Sequence, residues 1–578
     1  MNFKRAELVS PFPIISKLGP ATIYILVFFI TPIAVFFVYS FWSVSQWEII
    51  KEWTFDNYYT VLTSPVFTLL IFRSIVIGLV TATLSVIVVY PLAYAMVFKF
   101  EKYRDLILFL LAISLFSNYL VRIYAWKSIL SSNGLVNYLA TQMGLVNGPM
   151  HYLIYSQWGV VVVLLNVYIP FATLPIYSSL LNVERETIDA AADLGAGPFR
   201  TFCRITLPLS ISGVIVSFLF IFLLAAGDFV TPQLVGGKSG MMIGNAVATQ
   251  FGIVCNWPLG SAMVFSTIGI IAAILAAGFL LLQVVRKARR KILTLSLKIP
   301  PPPEPEDMPP SVLKFRGSLS FSRMPLLQMY AVLTLFFLFL PVFILVVLSF
   351  NKNITGVFPL EGFTLDWYRE AFNKRIIWPA LENSVRVAAG TALISALLGT
   401  PAAFALTRYS FRFRNALRTL LSVPISMPTL LIGISLLSFF AFFAISRSLI
   451  TVIIGHVVYC VPYMVLAVSA RLQEFDFSVE EAAHDLGATP FRAFRMVIFP
   501  LIRPTVVGAM LLIFSLSFNM FVITYFNIGA QSTLPMVIWS MLRPGIDPSL
   551  NALATMVIAV SIGLLSLANR FGAIKLGV

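Results

Sequence analysis

Residues that could perform catalysis or bind a metal ion are few in this sequence and lie far apart. There are three histidines and three cysteines: His151, His456, His484, Cys203, Cys255 and Cys460. Their separations match no zinc site, disulfide framework or nucleophile with its base. The stretch GGKSG at 236–240 ends like a phosphate-binding loop, but Pro232 stands where such a loop needs glycine. We therefore predict that the chain is not an enzyme and binds no cofactor of its own.

Two polar stretches, by contrast, repeat one order of residue types. IDAAADLGAGPFRTFCRITLP occupies 188–208 and EEAAHDLGATPFRAFRMVIFP occupies 480–500. Acidic residues suit the start of a helix, a glycine then suits its end, and a proline suits the start of the next helix. Each stretch is predicted to be a bent pair of short helices that docks on a partner outside the membrane. The residues given this role are Glu186, Asp189, Ala190, Ala191, Gly195, Pro198, Pro208, Glu480, Glu481, Ala482, Ala483, Gly487, Pro490 and Pro500.

The elements that hold these stretches must cross a lipid bilayer. Of the 578 residues, 59% are hydrophobic and only 11% are charged, a balance that no water-soluble core of this size could hide. Apolar runs long enough for a spanning helix, about 20 residues, recur along the chain. Twelve such runs lie near 19–43, 67–98, 106–130, 158–182, 210–230, 258–285, 326–350, 381–406, 416–444, 450–470, 504–526 and 550–570. We predict an all-α membrane protein with about twelve transmembrane helices.

The distribution of positively charged residues along the chain indicates how it is oriented in the membrane. A net charge of +16 would also suit nucleic-acid binding. However, when the N-terminus is placed inside and twelve spans alternate, most lysines and arginines fall in the inside segments, as they do in membrane proteins generally. We therefore predict that both termini lie in the cytoplasm and that the chain binds no nucleic acid.

Markers along the chain repeat at fixed offsets. The glycines and the final prolines of the two polar stretches are 292 positions apart, as are Pro170 and Pro462, whereas Pro91 and Pro401 are 310 apart. The first half thus carries 18 extra residues, which we assign to an outside loop at 131–159. Two interpretations of that loop stay open, a docking surface for a protein partner and an insertion without a role.

A proline-rich segment separates the two halves. KIPPPPEPEDMPPS, residues 298–311, is too rich in proline to be helical and too polar to enter lipid, so it is predicted to be a semi-rigid spacer. A joint between two formerly separate subunits is favoured over a ligand for an SH3-type domain. The predicted organisation is a first half at 1–298, a linker at 299–313 and a second half at 314–578. Each half would cross the membrane six times.

The repeated stretches resemble the cytoplasmic loop of the permease subunits of ATP-binding-cassette importers. That loop reads Glu-Ala-Ala, three residues, Gly, nine residues, Ile, one residue, Leu-Pro. The first copy has Asp189 for the Glu, and the second has Val497 and Phe499 for the Ile and Leu. The resemblance implies coupling helices at 186–208 and 478–500 that dock on two copies of a cytoplasmic ATPase. It also implies an extracytoplasmic solute-binding protein and a location in the bacterial inner membrane.

At a finer level the chain resembles the permeases of spermidine and putrescine importers. The likeness lies in LVRIYAWKSIL at 120–130 and GDFVTPQLVGG at 227–237, and in the stretch 519–555 of the second half. It implies a polyamine-type cargo. Related importers carry opines or amino acids, aminophosphonates or ferric iron, and these stay as alternatives because Asn519 and Met520 stand where polyamine permeases commonly carry acids.

Ionisable residues within spans are costly and usually functional. Asp228 could contact an ammonium group of the cargo, cap a helix or pair with Arg122. Arg122 itself is expected at the outer interface, beside an aromatic belt of Tyr124 and Trp126. The candidates for the solute pathway are Asp228, Arg122, Tyr124, Trp126, Asn519 and Thr524.

The predicted function is that of a permease core that moves a small organic solute inward by alternating access, driven by the partner ATPase. The four prolines that repeat between the halves would supply hinges within the spans. An ion-coupled secondary transporter is a remote alternative that would need membrane-buried acids, for which only Asp228 and Glu382 are candidates. A membrane scaffold without transport activity is the other rival.

Overall fold

Long apolar helices dominate the architecture. The computed structural model describes residues 11–46, 48–296, 325–474, 478–542 and 547–570. Within these ranges ten helices are long and apolar enough to cross a membrane, and two bent helix pairs raise the number to twelve if each pair counts as one span. The prediction of an all-α membrane protein with about twelve spans is therefore confirmed.

The first half contains thirteen α-helices and one short antiparallel hairpin among its described residues. Its elements are α1 (Pro11–Ile25), α2 (Thr31–Tyr39), β1 (Ser43–Ser45), β2 (Glu48–Ile50), α3 (Asp56–Thr63), α4 (Pro65–Phe98), α5 (Arg104–Phe116), α6 (Tyr119–Leu130), α7 (Leu135–Gln142), α8 (Gln157–Leu181), α9 (Arg185–Asp193), α10 (Pro198–Thr201), α11 (Leu207–Ala226), α12 (Ile243–Thr249) and α13 (Trp257–Ser296).

The second half follows the same order. Its elements are α14 (Pro325–Ser349), α15 (Asp366–Asn373), α16 (Ile377–Arg408), α17 (Arg414–Ser426), α18 (Thr429–Phe442), α19 (Leu449–Glu474), α20 (Ser478–Asp485), α21 (Pro490–Ala493), α22 (Phe499–Asn519), α23 (Val522–Asn527), α24 (Leu534–Leu542) and α25 (Pro548–Arg570).

The third span of each half is bent. α5 and α6 meet at 88°, and α17 and α18 meet at 101°, so the expectation of continuous spans at 106–130 and 416–444 is wrong. Asn118 begins α6, because its side chain accepts a hydrogen bond from a backbone N–H three residues on (3.2 Å). In the second half Pro428 holds Met427 in an extended conformation, which ends α17. Both arms of each bend are apolar, so hydrophobicity alone could not reveal the break.

Equivalent hydrogen bonds recur in the two halves. The Ser74 hydroxyl accepts from the backbone N–H of Ile243 (2.8 Å), and the Ser384 hydroxyl accepts from that of Leu534 (2.8 Å). Each bond satisfies the first N–H of a short helix, α12 or α24, which has no partner within its own helix. The two serines are 310 positions apart, the offset that the prolines of the same spans predicted, so the structural repeat agrees with the sequence repeat.

The first span of each half packs against the other half. α1 and α2 lie against α16 and α18, and the Tyr24 hydroxyl donates to the Ile454 carbonyl of α19 (2.9 Å). Reciprocally, α14 lies against α4 and α6, and the Tyr330 hydroxyl donates to the Val88 carbonyl (2.9 Å). The largest cluster of buried apolar side chains includes residues of both halves. The two halves therefore pack together directly through their helices.

The loop that is predicted to lie outside carries the extra residues of the first half. Residues 131–156 separate α6 from α8, whereas six residues separate α18 from α19. Within the loop, Asn137 donates to the Ser131 carbonyl (2.9 Å) and accepts from the Met150 N–H (2.7 Å). The predicted linker at 299–313 lies outside the described residues, so the domain boundaries stay a prediction.

A charged contact joins two elements at one end of the second half. Lys374, between α15 and α16, donates to Asp547 (2.6 Å) and to Ser549 (2.5 Å) at the start of α25. Burial alone would raise the pKa of the Asp547 carboxyl, but hydrogen bonds from Lys374 and Ser549 outweigh it and hold the pKa below its usual value. The ionised carboxyl therefore stabilises the fold above its ordinary pKa of about 4, and this stabilisation is lost as the pH falls through the lowered value.

We expect Lys374→Met to lower the melting temperature at neutral pH, because the Asp547 carboxylate then loses its partner. The difference from the parent protein should begin to narrow below about pH 4 and should disappear below the lowered pKa of Asp547, where the carboxyl is protonated in both proteins. Thermal unfolding of the purified protein across a pH series measures this. Lys352→Met, in the loop between α14 and α15, is the matched control. A loss that is equally large in acid would contradict the assignment.

Candidate solute cavity and coupling elements

Four breaks in membrane helices converge on one cavity between the halves, with a volume of about 170 Å³. The breaks lie at 117–118 after α5, at 227–231 after α11, at 427–428 after α17 and at 520–521 after α22. Residues of all four breaks line the cavity. Irregular backbone inside a membrane is tolerated only where it is buried in protein or lines a cavity. The cavity is therefore the candidate solute site.

The cavity wall is largely apolar and aromatic. Among its lining residues, Asp228 and Arg122 carry charge, and both belong to the first half. Three tyrosines, Tyr119, Tyr168 and Tyr459, contribute to the wall beside several phenylalanines. The lining residues from the second half include no carboxylate, so any cation in the cavity would meet its counter-charge on one side.

Asp228 is buried in a network of hydroxyl groups. Its carboxylate accepts a hydrogen bond from the Tyr119 hydroxyl, and the Tyr168 hydroxyl lies 3.5 Å away. It also accepts from the backbone N–H of Thr231 (3.1 Å), which fixes the turn after α11. No ion pair joins Asp228 to Arg122, both of which are described. Of the three roles expected for Asp228, the structural cap is present, the pairing with Arg122 is not, and the cargo contact stays a prediction.

Arg122 lines the cavity and is buried, whereas a side chain reaching the membrane interface would be exposed. Its guanidinium donates to the Ser114 hydroxyl (3.2 Å). Tyr124 and Trp126 are also buried, and the Trp126 ring packs on Phe337 of α14 at 5.4 Å between centroids. Trp126 therefore fixes α6 to the other half, and both aromatic residues are shielded from the protein surface. They form no interfacial belt and do not line the cavity.

The two remaining pathway candidates have different surroundings. Asn519 lines the cavity at the end of α22. Thr524 is absent from the cavity wall, and its hydroxyl instead lies 2.9 Å from Nε2 of His456. Nδ1 of the same buried histidine lies 2.8 Å from the Ser517 hydroxyl. His456 thus connects α19 to both arms of the broken helix, a role that its isolated position in the sequence did not reveal.

The two polar stretches have the predicted local structure. Gly195 and Gly487 follow α9 and α20 with φ of +78° and +81°, a conformation that favours glycine. In each copy the next backbone N–H donates to a carbonyl five residues back (2.9 Å and 3.0 Å), which closes the helix end. Pro198 and Pro490 are the first residues of α10 and α21. The predicted helix stop and restart are confirmed in both copies.

The other assigned residues of the two copies occupy matching places. Ala191 and Ala483 are buried beneath the elements, whereas the alanines before them are exposed. Glu186, Glu480 and Glu481 stand in the first turns of their helices, whereas Asp189 lies in the middle of α9. The final prolines stand in the first turns of α11 and α22. The residues concerned are Glu186, Asp189, Ala190, Glu480, Glu481, Ala482, Pro208 and Pro500.

Each element also exposes a pair of large apolar side chains that motif reasoning missed. Leu194 and Phe199 are 89% and 79% exposed in the first copy, and Leu486 and Phe491 are 89% and 72% exposed in the second. The pairs are 292 positions apart, so the repeat itself could have identified them. Exposed apolar side chains grouped at equivalent places indicate a protein-binding surface.

The two elements are attached to the membrane helices in partly different ways. π-helical turns at equivalent positions, Phe202–Thr206 and Phe494–Ile498, connect them to α11 and α22. The second element is also fixed by an ion pair between Glu480 and Arg408 at the end of α16 (3.4 Å), whose side chains are largely buried. The first is fixed by a more exposed pair, Arg185 with Glu101.

Two related halves, a cavity between them and a matched pair of exposed polar elements are typical of the membrane component of a transporter. The model of the family "binding-protein-dependent transport system inner membrane component" matches residues 395–573. The chain belongs to this family, whose members are permease components of ATP-binding-cassette importers, and its length of 578 residues fits two fused permeases. It is thus a transport component of the inner membrane.

Individual relatives support the assignment. The putrescine transport system permease protein PotI of Escherichia coli (strain K12) is 37% identical over 230 residues, which cover 38% of this chain and 82% of PotI. The spermidine/putrescine transport system permease protein PotC of Haemophilus influenzae is 36% identical over 234 residues, 40% of this chain and 91% of PotC. PotB of the same organism is 33% identical over 210 residues, 36% of this chain and 73% of PotB.

We expect Gly195→Ala to loosen the first element by about 1 kcal/mol, because alanine disfavours a positive φ. No atom lies within 4 Å of the added Cβ, so conformational strain is the whole cost. Amide hydrogen exchange of residues 185–206 should accelerate roughly fivefold, and Gly195→Asn should accelerate it less. Gly197→Ala is the matched control, because Gly197 has an ordinary φ of −65° and equally open surroundings. An equal effect of the control variant would argue against the glycine cap.

Proposed function

We propose that this single chain forms the whole membrane path of an ATP-binding-cassette importer. Two copies of a separate cytoplasmic subunit would hydrolyse ATP, and a separate binding protein would deliver solute to the opposite face. The observation that supports this is the pair of matched elements, each with a glycine-capped helix and two exposed apolar side chains. Two equal surfaces fit two copies of one partner. Four spans precede α9 and twelve precede the C-terminus, so both termini would lie on the ATPase side.

The helices provide a direct mechanical route from the docking elements to the cavity. α11 and α22 begin beside the elements and end at the cavity breaks, a distance of about 30 Å for 20 residues of helix. Burial of a leucine or phenylalanine side chain in a partner groove stabilises a complex by about 1.5 to 3 kcal/mol. When ATP closes the ATPase subunits, the elements would move with them, and the far ends of both helices would rearrange around the cavity.

A small organic amine is the proposed cargo. PotI, PotC and PotB are named for the transport of putrescine or spermidine. In this chain, Asp228 supplies a carboxylate and the surrounding tyrosines supply aromatic faces, which together suit an ammonium group. An opine or amino acid, an aminophosphonate and ferric iron stay as alternatives. The carboxylate-free wall of the second half suits a cargo that presents one ammonium group at a time.

An ion-coupled secondary transporter is less well supported. Its candidate acids were Asp228 and Glu382. The Glu382 side chain is 61% exposed and pairs with Arg386 on the same helix at 2.5 Å, so it is no buried ion site. That leaves a single carboxylate in the cavity wall. The docking elements would also have no role in such a transporter.

We expect Leu486→Glu combined with Phe491→Glu to weaken binding of one ATPase copy, because two apolar contacts become charged. The amount of ATPase that co-purifies should fall by about half, and the same changes at Leu194 and Phe199 should remove the other half. Ile253→Glu is the matched control, because Ile253 is 79% exposed and lies at the opposite ends of the spans. Normal co-purification with all four changes would contradict the docking assignment.

We expect Asp228→Asn to reduce uptake of radiolabelled putrescine and spermidine by about tenfold or more, the usual effect of losing a charge-assisted contact. Asparagine can still accept the hydrogen bond from Thr231, so the local turn should persist. Proteoliposomes with the ATPase and the binding protein provide the measurement, and Glu382→Gln is the control. Unchanged uptake in Asp228→Asn would exclude the ammonium contact. If the parent complex takes up neither polyamine, the proposed cargo class is wrong.

A further inference from the structure

A hydrogen bond joins the two halves where their broken helices meet. Asn118 begins α6 in the first half, and Asn519 ends α22 in the second. The Asn118 side-chain amide donates to Oδ1 of Asn519 (3.1 Å), and both residues are buried. The bond therefore connects the bent third span of one half to the broken fifth span of the other.

The equivalent contact on the other side of the cavity is steric. By the repeat offsets, Pro428 corresponds to Asn118 and Gly227 corresponds to Asn519. A Cβ added to Gly227 would lie only 2.8 Å from Cβ and Cγ of Pro428. On each side of the cavity, the break in the third span of one half therefore meets the break in the fifth span of the other half. One meeting is a hydrogen bond, and the other is a close contact that only glycine allows.

Both contacts lie beside the cavity and far from the docking elements. Gly227, Pro428 and Asn519 all line the cavity. α11 and α22 begin next to the docking elements and have these contacts at their other ends. The contacts therefore hold the halves together at the end of the spans that is remote from the proposed ATPase.

Local hydrogen bonds orient the asparagine pair. The amide of Asn519 donates to the Ser515 carbonyl (3.0 Å) and to the Ser561 hydroxyl (3.2 Å), which leaves its oxygen directed at Asn118. The oxygen of Asn118 accepts from the Val121 N–H (3.2 Å), which leaves its amide directed at Asn519. Because both side chains are held in place, little conformational entropy is lost when the bond between them forms.

We propose that these two contacts form a gate: the contact between Asn118 and Asn519 breaks, and the contact between Gly227 and Pro428 slides, when the cavity opens toward the binding protein. Asn118 and Asn519 act as a latch, because opening breaks their buried hydrogen bond. Gly227 and Pro428 act as a pivot, because proline has no N–H to donate and the surfaces can slide. The inference rests on the proposed function, since alternating access requires an interface that is formed in one state and broken in the other.

The test is the ATPase activity of the reconstituted complex without the binding protein. Asn118→Ser keeps an oxygen that can cap α6 but cannot reach Asn519, and Asn519→Ala removes the acceptor. Each change should raise this activity by roughly twofold to tenfold, because the open state then costs one hydrogen bond less. The double variant should match the larger single effect, because both changes break the same bond.

A second pair of variants tests the pivot independently. Gly227→Ala places a methyl group against Pro428 and should also raise ATPase activity without the binding protein. Adding Pro428→Gly should return the activity toward that of the parent complex, because the clash is removed. If the two changes were instead unrelated defects, the double variant would have a lower ATPase activity or a lower stability than either single variant.

Asn166→Ala is the matched control. Asn166 donates to the Phe337 carbonyl of α14 (2.8 Å), which is also a hydrogen bond between the halves. This bond joins α8 to α14 and involves none of the four gate residues, so its loss should leave the stimulation of ATPase activity by the binding protein unchanged. ATPase co-purification at the parental ratio verifies that each variant is folded.

Three results would overturn the gate: unchanged activity in both latch variants, a double latch variant whose effect is the product of the single effects, or no reversal of Gly227→Ala by Pro428→Gly. An effect of Asn166→Ala equal to that of the latch variants would also overturn it. A parent complex whose ATPase does not respond to its binding protein would instead refute the proposed function.

Discussion

The structure depends on one constraint: a backbone amide or carbonyl without a hydrogen-bond partner is costly in lipid, by several kcal/mol. A transporter nevertheless needs irregular backbone where its solute passes. In the first half the breaks are satisfied by their own side chains, the Asn118 oxygen at the start of α6 and the Asp228 carboxylate after α11. The four breaks also meet at one cavity, where their polar groups are shielded from lipid.

Much of the architecture could be predicted from sequence, because lipid imposes a strong pattern. Apolar length identified the spans, and the glycines at 195 and 487 identified the ends of the docking helices, since few other residues adopt a positive φ. The bends in the third spans were missed because a broken helix is as apolar as a straight one. The burial of Trp126 was missed because it depends on Phe337 of α14, which is about 200 residues away in the chain.

The two halves share a plan but not all of its contacts. The latch between Asn118 and Asn519 has a glycine and a proline in its place on the other side. The largely buried ion pair between Arg408 and Glu480 is replaced at the first docking element by a more exposed pair at other positions, Arg185 with Glu101. A single chain that holds both halves fixes which partner each half meets. Each half can therefore specialise. The first half supplies the carboxylate of the cavity, Asp228, and the second half contains the hydrogen-bond network of the buried His456.

The central claim is that ATP hydrolysis by a docked partner drives solute through the cavity between the halves. Solute uptake into proteoliposomes that contain the chain, its ATPase and its binding protein tests this most directly. The account predicts uptake that requires all three proteins and ATP and that persists when proton and sodium gradients are abolished. Uptake by the chain alone, driven by an ion gradient in the absence of ATP, would contradict it.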